Sequence, residues 1–217
     1  MAKKLRLAVL ASGGDTNLQS IIDGCQQDTL DAEIALVVCN NPGAGALKRA
    51  EAAGIRNICI NHRDFSERAD FDRAVVTALQ DAQVELIVLA GFMRIISAVF
   101  LEAFPQRIIN IHPALLPAFP GLHVQQKAIE YGARFSGCTV HFVDDGVDTG
   151  PIIVQAVVPI HSDDTEETLS ARILEQEHKI YPQAIQWFAQ DRVKLEGRKV
   201  VITDAERPQQ ALINPLP

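Results

Sequence analysis

The chain is 217 residues long, 47% apolar and 22% charged, which suits an ordinary core in one large domain and excludes wholesale disorder. Its formal charge of −7 excludes a polynucleotide-binding surface, which needs clustered Lys and Arg, but not a small anion held by a few local donors. The cysteines, Cys25, Cys39, Cys59 and Cys138, are scattered without a CxxC pair and read as reduced packing residues of a cytoplasmic protein.

The N-terminal residues run straight into a strand pattern, and their apolar stretch is too short for a signal peptide or a membrane span. Residues 5–11 (LRLAVLA) predict a strand, closed by Ser12-Gly-Gly-Asp-Thr, with helical periodicity from Asn17 onward. A second strand is expected at 32–39, stopped by Asn40-Asn-Pro, then a short helix at 45–53 and a third strand at 55–60. An amphipathic helix follows at 67–81, with Phe71, Val75, Ala78 and Leu79 on one face. The unbroken run Leu86-Ile-Val-Leu-Ala predicts a fourth strand buried on both faces, and a short helix at 97–104 leads to a fifth strand at 107–111. This alternation predicts an α/β fold, an open, mostly parallel twisted sheet flanked by helices.

Beyond residue 112 the rhythm changes. A helix at 124–131 is followed by two longer alternating strands at 137–143 and 152–160, read as an antiparallel C-terminal addition. A long helix at 165–190 opens with Asp164-Thr-Glu-Glu, and its Pro182 predicts a kink or a break. A hairpin (193–195 with 199–202) and a polar, Pro-containing tail close the chain. The expected division is a main domain over 1–190, with halves meeting near residue 105, and a hairpin-and-tail segment over 191–217.

In an open parallel sheet, ligands bind beyond the carboxyl ends of the strands. After the first strand, Ser12-Gly-Gly-Asp-Thr-Asn17 reads either as a phosphate cradle at a helix N-terminus or as a plain tight turn. The GxGxxG spacing of a dinucleotide site is absent, and no acidic residue closes the second strand. After the fourth strand, Arg94 is an anion clamp, a mark of the wall of an apolar pocket, or an ordinary surface arginine. After the fifth, strand alternation puts Asn110 and His112 on one face, just before Pro113 ends regular pairing. A neutral amide donor beside an imidazole is an oxyanion-stabilising and proton-handling pair, although a lone histidine is more often structural. The acidic loop Asp144-Asp-Gly-Val-Asp148-Thr-Gly150 is either a solvated turn or a lid bringing a carboxylate to His112. It lacks the Glu of a calcium loop, and no HExxH or paired-Cys spacing occurs, so no metal is expected.

Taken together, Ser12-Gly-Gly-Asp-Thr-Asn17-Leu-Gln, Leu89-Ala-Gly-Phe-Met-Arg94-Ile, Asn110-Ile-His112-Pro-Ala-Leu-Leu-Pro-Ala-Phe-Pro-Gly-Leu-His123, Gly137-Cys-Thr-Val-His141-Phe-Val, Asp148-Thr-Gly-Pro-Ile-Ile and Gln176-Glu177-His-Lys-Ile-Tyr-Pro182 resemble the phosphoribosylglycinamide formyltransferases. The resemblance spans residues 5 to about 190. It implies a Rossmann-like formyltransferase fold and formyl transfer from 10-formyltetrahydrofolate, the cosubstrate, to the amine of glycinamide ribonucleotide in purine synthesis. It further implies that Asn110, His112 and Asp148 are the catalytic trio. By the same resemblance, Asp15, Thr16, Asn17 and Glu177 bind the ribonucleotide, while Arg68, Met93, Arg94, Ile95, Ile96, Asn110, Asp144, Asp145 and Val147 bind the folate. Asp15 departs from the pattern, because the family usually has Gly there.

The implied partners are small molecules, without nucleic acid or membrane, in a monomer or a homodimer. Rival members of the wider group are a formyltetrahydrofolate deformylase, which usually carries an N-terminal regulatory domain, and methionyl-tRNA formyltransferase, which needs a C-terminal nucleic-acid-binding domain. With the first strand at residue 5 and a net negative charge, neither extra domain is expected. A non-catalytic folate- or nucleotide-binding module is the alternative from a different class.

Overall fold

A computed structural model of the protein describes residues 3–14, 16–206, 212 and 214. The polar tail expected after the hairpin therefore falls mostly outside the described residues. The elements, in chain order, are β1 (Leu5–Ala11), α1 (Thr16–Gln26), β2 (Ala32–Cys39), α2 (Gly45–Ala52), β3 (Asn57–Cys59), a 3-10 turn (His62–Asp64), α3 (Arg68–Asp81), β4 (Leu86–Leu89) and α4 (Ala98–Ala103). They continue with β5 (Ile108–His112), α5 (Val124–Tyr131), β6 (Phe135–Phe142), β7 (Ile152–Pro159), α6 (Glu166–Ala189), β8 (Val193–Glu196) and β9 (Lys199–Ile202).

The α/β architecture is as expected: a seven-stranded sheet in the order β3-β2-β1-β4-β5-β6-β7, beside a separate β8-β9 hairpin. Strands β3, β2, β1, β4 and β5 are parallel, and β6 and β7 join antiparallel. Alternation explains why the inner strands are apolar without a break. In β1, Leu7, Val9 and Ala11 enter one core and Ala8 and Leu10 the other; in β4, Leu86 and Val88 oppose Ile87 and Leu89 in the same way. Each face is covered by helices, α1 and α6 on one and α3 and α4 on the other. Each fully buried Leu or Ile contributes roughly 1.5–3 kcal/mol.

The edge strand β3 is shorter than the expected 55–60. Only Asn57–Cys59 pairs, against Val37–Cys39, because an edge strand has a partner on one side only. Helix α6 runs unbroken through Pro182, which excludes the break that proline predicts. The helix tolerates one missing N–H because it buries Leu169, Ile173, Tyr181, Ala184, Ile185 and Phe188 along its length. Its N-cap is Thr165, whose side chain accepts from Thr168 N–H in a reciprocal capping box. The preceding Asp164 instead takes a bidentate pair from Arg172, at 2.8 Å through each nitrogen, which holds its carboxyl well below the usual carboxylate range. No helix among the described residues is long and apolar enough to cross a membrane.

Candidate active site

The carboxyl ends of β1, β4 and β5 form one rim, and the loops there are tied to each other. Ser12 N–H donates to the Gly91 carbonyl (3.1 Å), Ser12 Oγ accepts from Met93 N–H (2.7 Å), and Asn41 Nδ2 donates to the Ser12 carbonyl (2.7 Å). A Cβ on Gly45 would sit 3.1 Å from Gly14 Cα, so α2 and the glycine loop touch backbone to backbone. Helix α1 then begins at Thr16 with no acidic side chain in its first turn, a terminus compatible with an anion. Thr16 Oγ1 lies 2.9 Å from His178 Nε2, and Asn17 Nδ2 donates to buried Glu177 Oε2 at 2.8 Å. These contacts bring together Thr16, Asn17 and Glu177 from opposite ends of the chain; Asp15 lies outside the described residues.

Strand β5 delivers Asn110 and His112 to the same side of the sheet, and the 144–150 loop folds back over them. Asp148 Oδ2 stands 3.4 Å from His112 Nδ1, and its Oδ1 stands 3.7 Å from His141 Nε2. Gly121 N–H donates to Asp148 Oδ2 at 2.9 Å. The sequence reading of an acidic lid, rather than a solvated turn, matches this geometry. His112 Nε2 donates to the Phe119 carbonyl at 2.9 Å, so that nitrogen carries a proton and the ring's other nitrogen faces the carboxylate.

His141 is the participant that sequence reasoning left in a strand without a role. Its Nδ1–H donates to the Phe142 carbonyl at 2.8 Å, leaving Nε2 to accept from Asn110 Nδ2 at 3.3 Å. Burial, the largest influence, pushes its pKa below the usual histidine value, against the opposing pull of the Phe142 carbonyl and Asp148. The neutral ring with the proton on Nδ1 is therefore the form at neutral pH. The weak 3.7 Å approach to Asp148 does not reverse that. The available signal was the β5–β6 pairing, in which Asn110 sits opposite His141, but antiparallel register is not readable from two unconnected strands.

The segment after His112 is held firmly. Thr139 Oγ1 donates to the Ala114 carbonyl (2.6 Å) and accepts from Leu116 N–H (3.1 Å), while Gln155 Nε2 donates to the Leu116 carbonyl (2.9 Å). Phe119 packs edge-on against Tyr131, with ring centroids 5.9 Å apart. Left-handed backbone angles cluster here, at Phe119 (φ 52°), Gly121 (φ 86°), His123 (φ 56°) and Asp148 (φ 55°). For Phe119 and His123 such angles cost of order 1–3 kcal/mol each, and strain of this kind collects at functional sites.

Beside this cluster opens a cavity of about 550 Å³, lined by Met93, Arg94, Ile95 and Ile96 after β4, by Asn110, His112 and His141, and by Asp144, Val147 and Asp148. The volume suits a drug-sized ligand. Arg94 lies over the Phe71 ring at 6.0 Å. Arg68, exposed at the start of α3, and Asp145, exposed in the 144–150 loop, are not part of the cavity lining. Among the described residues, no group of three or more His, Cys, Asp or Glu could hold a metal.

The chain matches the family described as formyl transferase over residues 5–185. A phosphoribosylglycinamide formyltransferase from Haemophilus influenzae is 42% identical, over 96% of this chain and 99% of its own length. The trifunctional purine biosynthetic protein adenosine-3 of Drosophila melanogaster is 50% identical over 84% of this chain, which spans 14% of that longer relative. The crystal structure of glycinamide ribonucleotide transformylase 1 from Symbiobacterium toebii superposes with a TM-score of 0.92, at 48% identity, over 94% of this chain and 96% of that one.

Proposed function

The chain belongs to the formyl transferase family, and from that premise we propose that it moves the formyl group of 10-formyltetrahydrofolate to the amine of 5-phosphoribosylglycinamide. The observation that carries this reading is the contact of Asp148 with His112, beside Asn110 and at the wall of a 550 Å³ cavity. Acyl transfer to an amine needs donors for a developing oxyanion, and a base for the proton the amine loses.

Asn110 supplies the first donor. One N–H of its amide is spent on His141 Nε2, which fixes the amide's orientation; the other is free to meet the oxyanion. His112 supplies the second from its Nε2–H, which a substrate oxygen takes over from the Phe119 carbonyl. Asp148, with a carboxylate oxygen toward each histidine, orients His112 and takes the proton of the attacking amine through water, while the departing N10 of the folate takes a proton from His112. The scheme calls on no metal.

The binding roles are those the family resemblance implies, and the two sides of the rim support them. The Ser12–Gly14 turn and the start of α1, with Thr16 and Asn17, receive the ribonucleotide phosphate, and Glu177 receives its glycinamide end. The apolar cavity holds the folate, with Met93, Ile95, Ile96 and Val147 as walls and Arg94 toward its anionic part. Arg68 and Asp145 join the folate only at the outer rim. We assign the phosphate side to the first half of the main domain, up to about residue 105, and folate and catalysis to 106–190, in a cytoplasmic enzyme acting on small molecules. The test is to incubate the protein with 10-formyltetrahydrofolate, with and without 5-phosphoribosylglycinamide, and follow loss of the formyl folate. Turnover only with the nucleotide is expected. Formate release in water alone would mark a deformylase, and binding without turnover would reduce the chain to a binding module.

A further inference from the structure

The β8-β9 hairpin lies beyond the 5–185 stretch that carries the family match, and the reaction outlined above makes no use of it. Its construction is rigid. Val193, Leu195, Val200 and Ile202 pack against the main core, while Lys194, Glu196 and Lys199 face solvent. Arg192 closes the open end, donating from Nε to the Thr203 carbonyl (2.8 Å) and accepting from Thr203 N–H (3.0 Å). At the other end Glu196 pairs with Lys199, leaving Gly197-Arg198 as a two-residue turn. Gly197 provides the left-handed angle, φ 62°, that such a turn requires.

The turn points at the lid. Arg198 Nη2 donates to the Thr149 carbonyl at 2.5 Å, one residue beyond Asp148. The 144–150 loop is already bonded within itself, because Asp144 Oδ1 accepts from Thr149 Oγ1 (2.6 Å) and Gly146 N–H (3.2 Å). Gly121 holds it from the inside, through Asp148 Oδ2. Arg198 holds it from the outside, on an arm anchored in the core.

We propose that Arg198 is a positioning residue for Asp148: by fixing the Thr149 carbonyl, the hairpin keeps the loop where Asp148 reaches His112 and Asp144 and Val147 close the folate side of the cavity. The inference rests on the proposed reading of the site. Released from Arg198, the loop samples positions in which the 3.4 Å approach of Asp148 to His112 is lost. A charge-assisted bond at an exposed position is worth little on its own, so the expected loss in kcat/KM for 10-formyltetrahydrofolate is modest, roughly three- to tenfold.

The test uses the full-length chain as Arg198→Ala and Arg198→Lys, with Lys194→Ala on the solvent face of the same hairpin as control. In Arg198→Ala, kcat is expected to fall and KM for the folate to rise, while KM for the ribonucleotide and the melting temperature hold. Arg198→Lys should recover part of the loss, because its ammonium can still donate to the carbonyl. Hydrogen exchange at the backbone amides of residues 144–150 should quicken in Arg198→Ala and not in Lys194→Ala. Unchanged folate kinetics in Arg198→Ala would overturn the proposal, as would a ribonucleotide KM rising in step with the folate KM. If the wild-type chain shows no formyl transfer at all, the reaction reading fails, and the exchange measurement decides alone: unaltered protection at 144–150 rejects the positioning role.

Discussion

Replacing Asp148 by asparagine keeps the shape of the site and removes its charge. One oxygen of Asp148, Oδ2, both accepts from Gly121 N–H and faces His112 Nδ1, so an amide oxygen in that place keeps the Gly121 bond and puts its NH₂ on the His141 side. The lost attraction can be bracketed from the 3.4 Å separation: about 5 kcal/mol at an effective dielectric near 20 and about 1 kcal/mol under full water screening. Asp148 has 14% of its side chain exposed and His112 6%, so the value lies toward the upper part of that range. A loss of roughly 3–5 kcal/mol corresponds to about 10²–10⁴ in kcat. Both KM values should change far less, since the phosphate turn and the apolar walls Met93, Ile95, Ile96 and Val147 are untouched. Steady-state kinetics on the folded variant, with each substrate varied in turn, supply the measurement. A kcat within threefold of wild type, or a loss expressed wholly in KM, would refute the idea that the Asp148 carboxylate acts in the chemical step beside His112.

Burial keeps the folded-state pKa of His141 below the unfolded value of 6.5, so the unfolded chain takes up its proton first as pH falls. The stability this group contributes is present above about pH 6.5 and is lost below it; the melting temperature should drop with acidification there, and less so in His141→Gln, and equal slopes in the two proteins would reject the assignment. Glu177→Ala should lower kcat/KM for the ribonucleotide roughly ten- to hundredfold, the worth of a hydrogen bond to a charged group, and leave folate affinity measured by calorimetry unaltered; a matching loss of folate affinity would count against a ribonucleotide role. At Gly150 an added Cβ would meet the Phe142 carbonyl oxygen at 1.7 Å, whereas at Gly43 it meets nothing within 4 Å. Gly150→Ala should therefore lower the melting temperature by at least about 5 °C and Gly43→Ala hardly at all, and a well-tolerated alanine at 150 would contradict the tight packing of the lid.

Much of the fold was legible because its signals are local. The double-sided apolar runs of β1 and β4 announce buried parallel strands, and the change of rhythm after residue 112 announces β6 and β7. Pro182 misled as to a break, because whether a proline ends a helix is set by the packing that surrounds it, which a local rule does not see. The same division holds at the site. Asn110 and His112 are two residues apart on one strand, so alternation alone puts them together. The approach of Asp148 depends on how the 144–150 loop folds, and the contact of His141 with Asn110 depends on the β5-β6 register. The carbonyl of Phe119 and the N–H of Gly121 are backbone groups, invisible to any reading of side-chain types. Arg68 and Asp145 came from resemblance alone, and nothing in the surrounding residues could have said how far from the cavity wall their exposed side chains would stand.

The hydrogen bond from Asn17 to Glu177 joins positions 160 apart in the chain, and this has a consequence for how the enzyme is made. A polypeptide still on the ribosome, synthesised as far as β7, already contains Asn110, His112 and Asp148. It lacks Glu177, because α6 has not been translated. Half a site of that kind could hold a formyl donor with only water to accept the group. On the proposed reading, in which Glu177 receives the amine, docking of α6 is the step that gives the chemistry its proper acceptor. A chain cut short before residue 177 should therefore be wasteful as well as unstable.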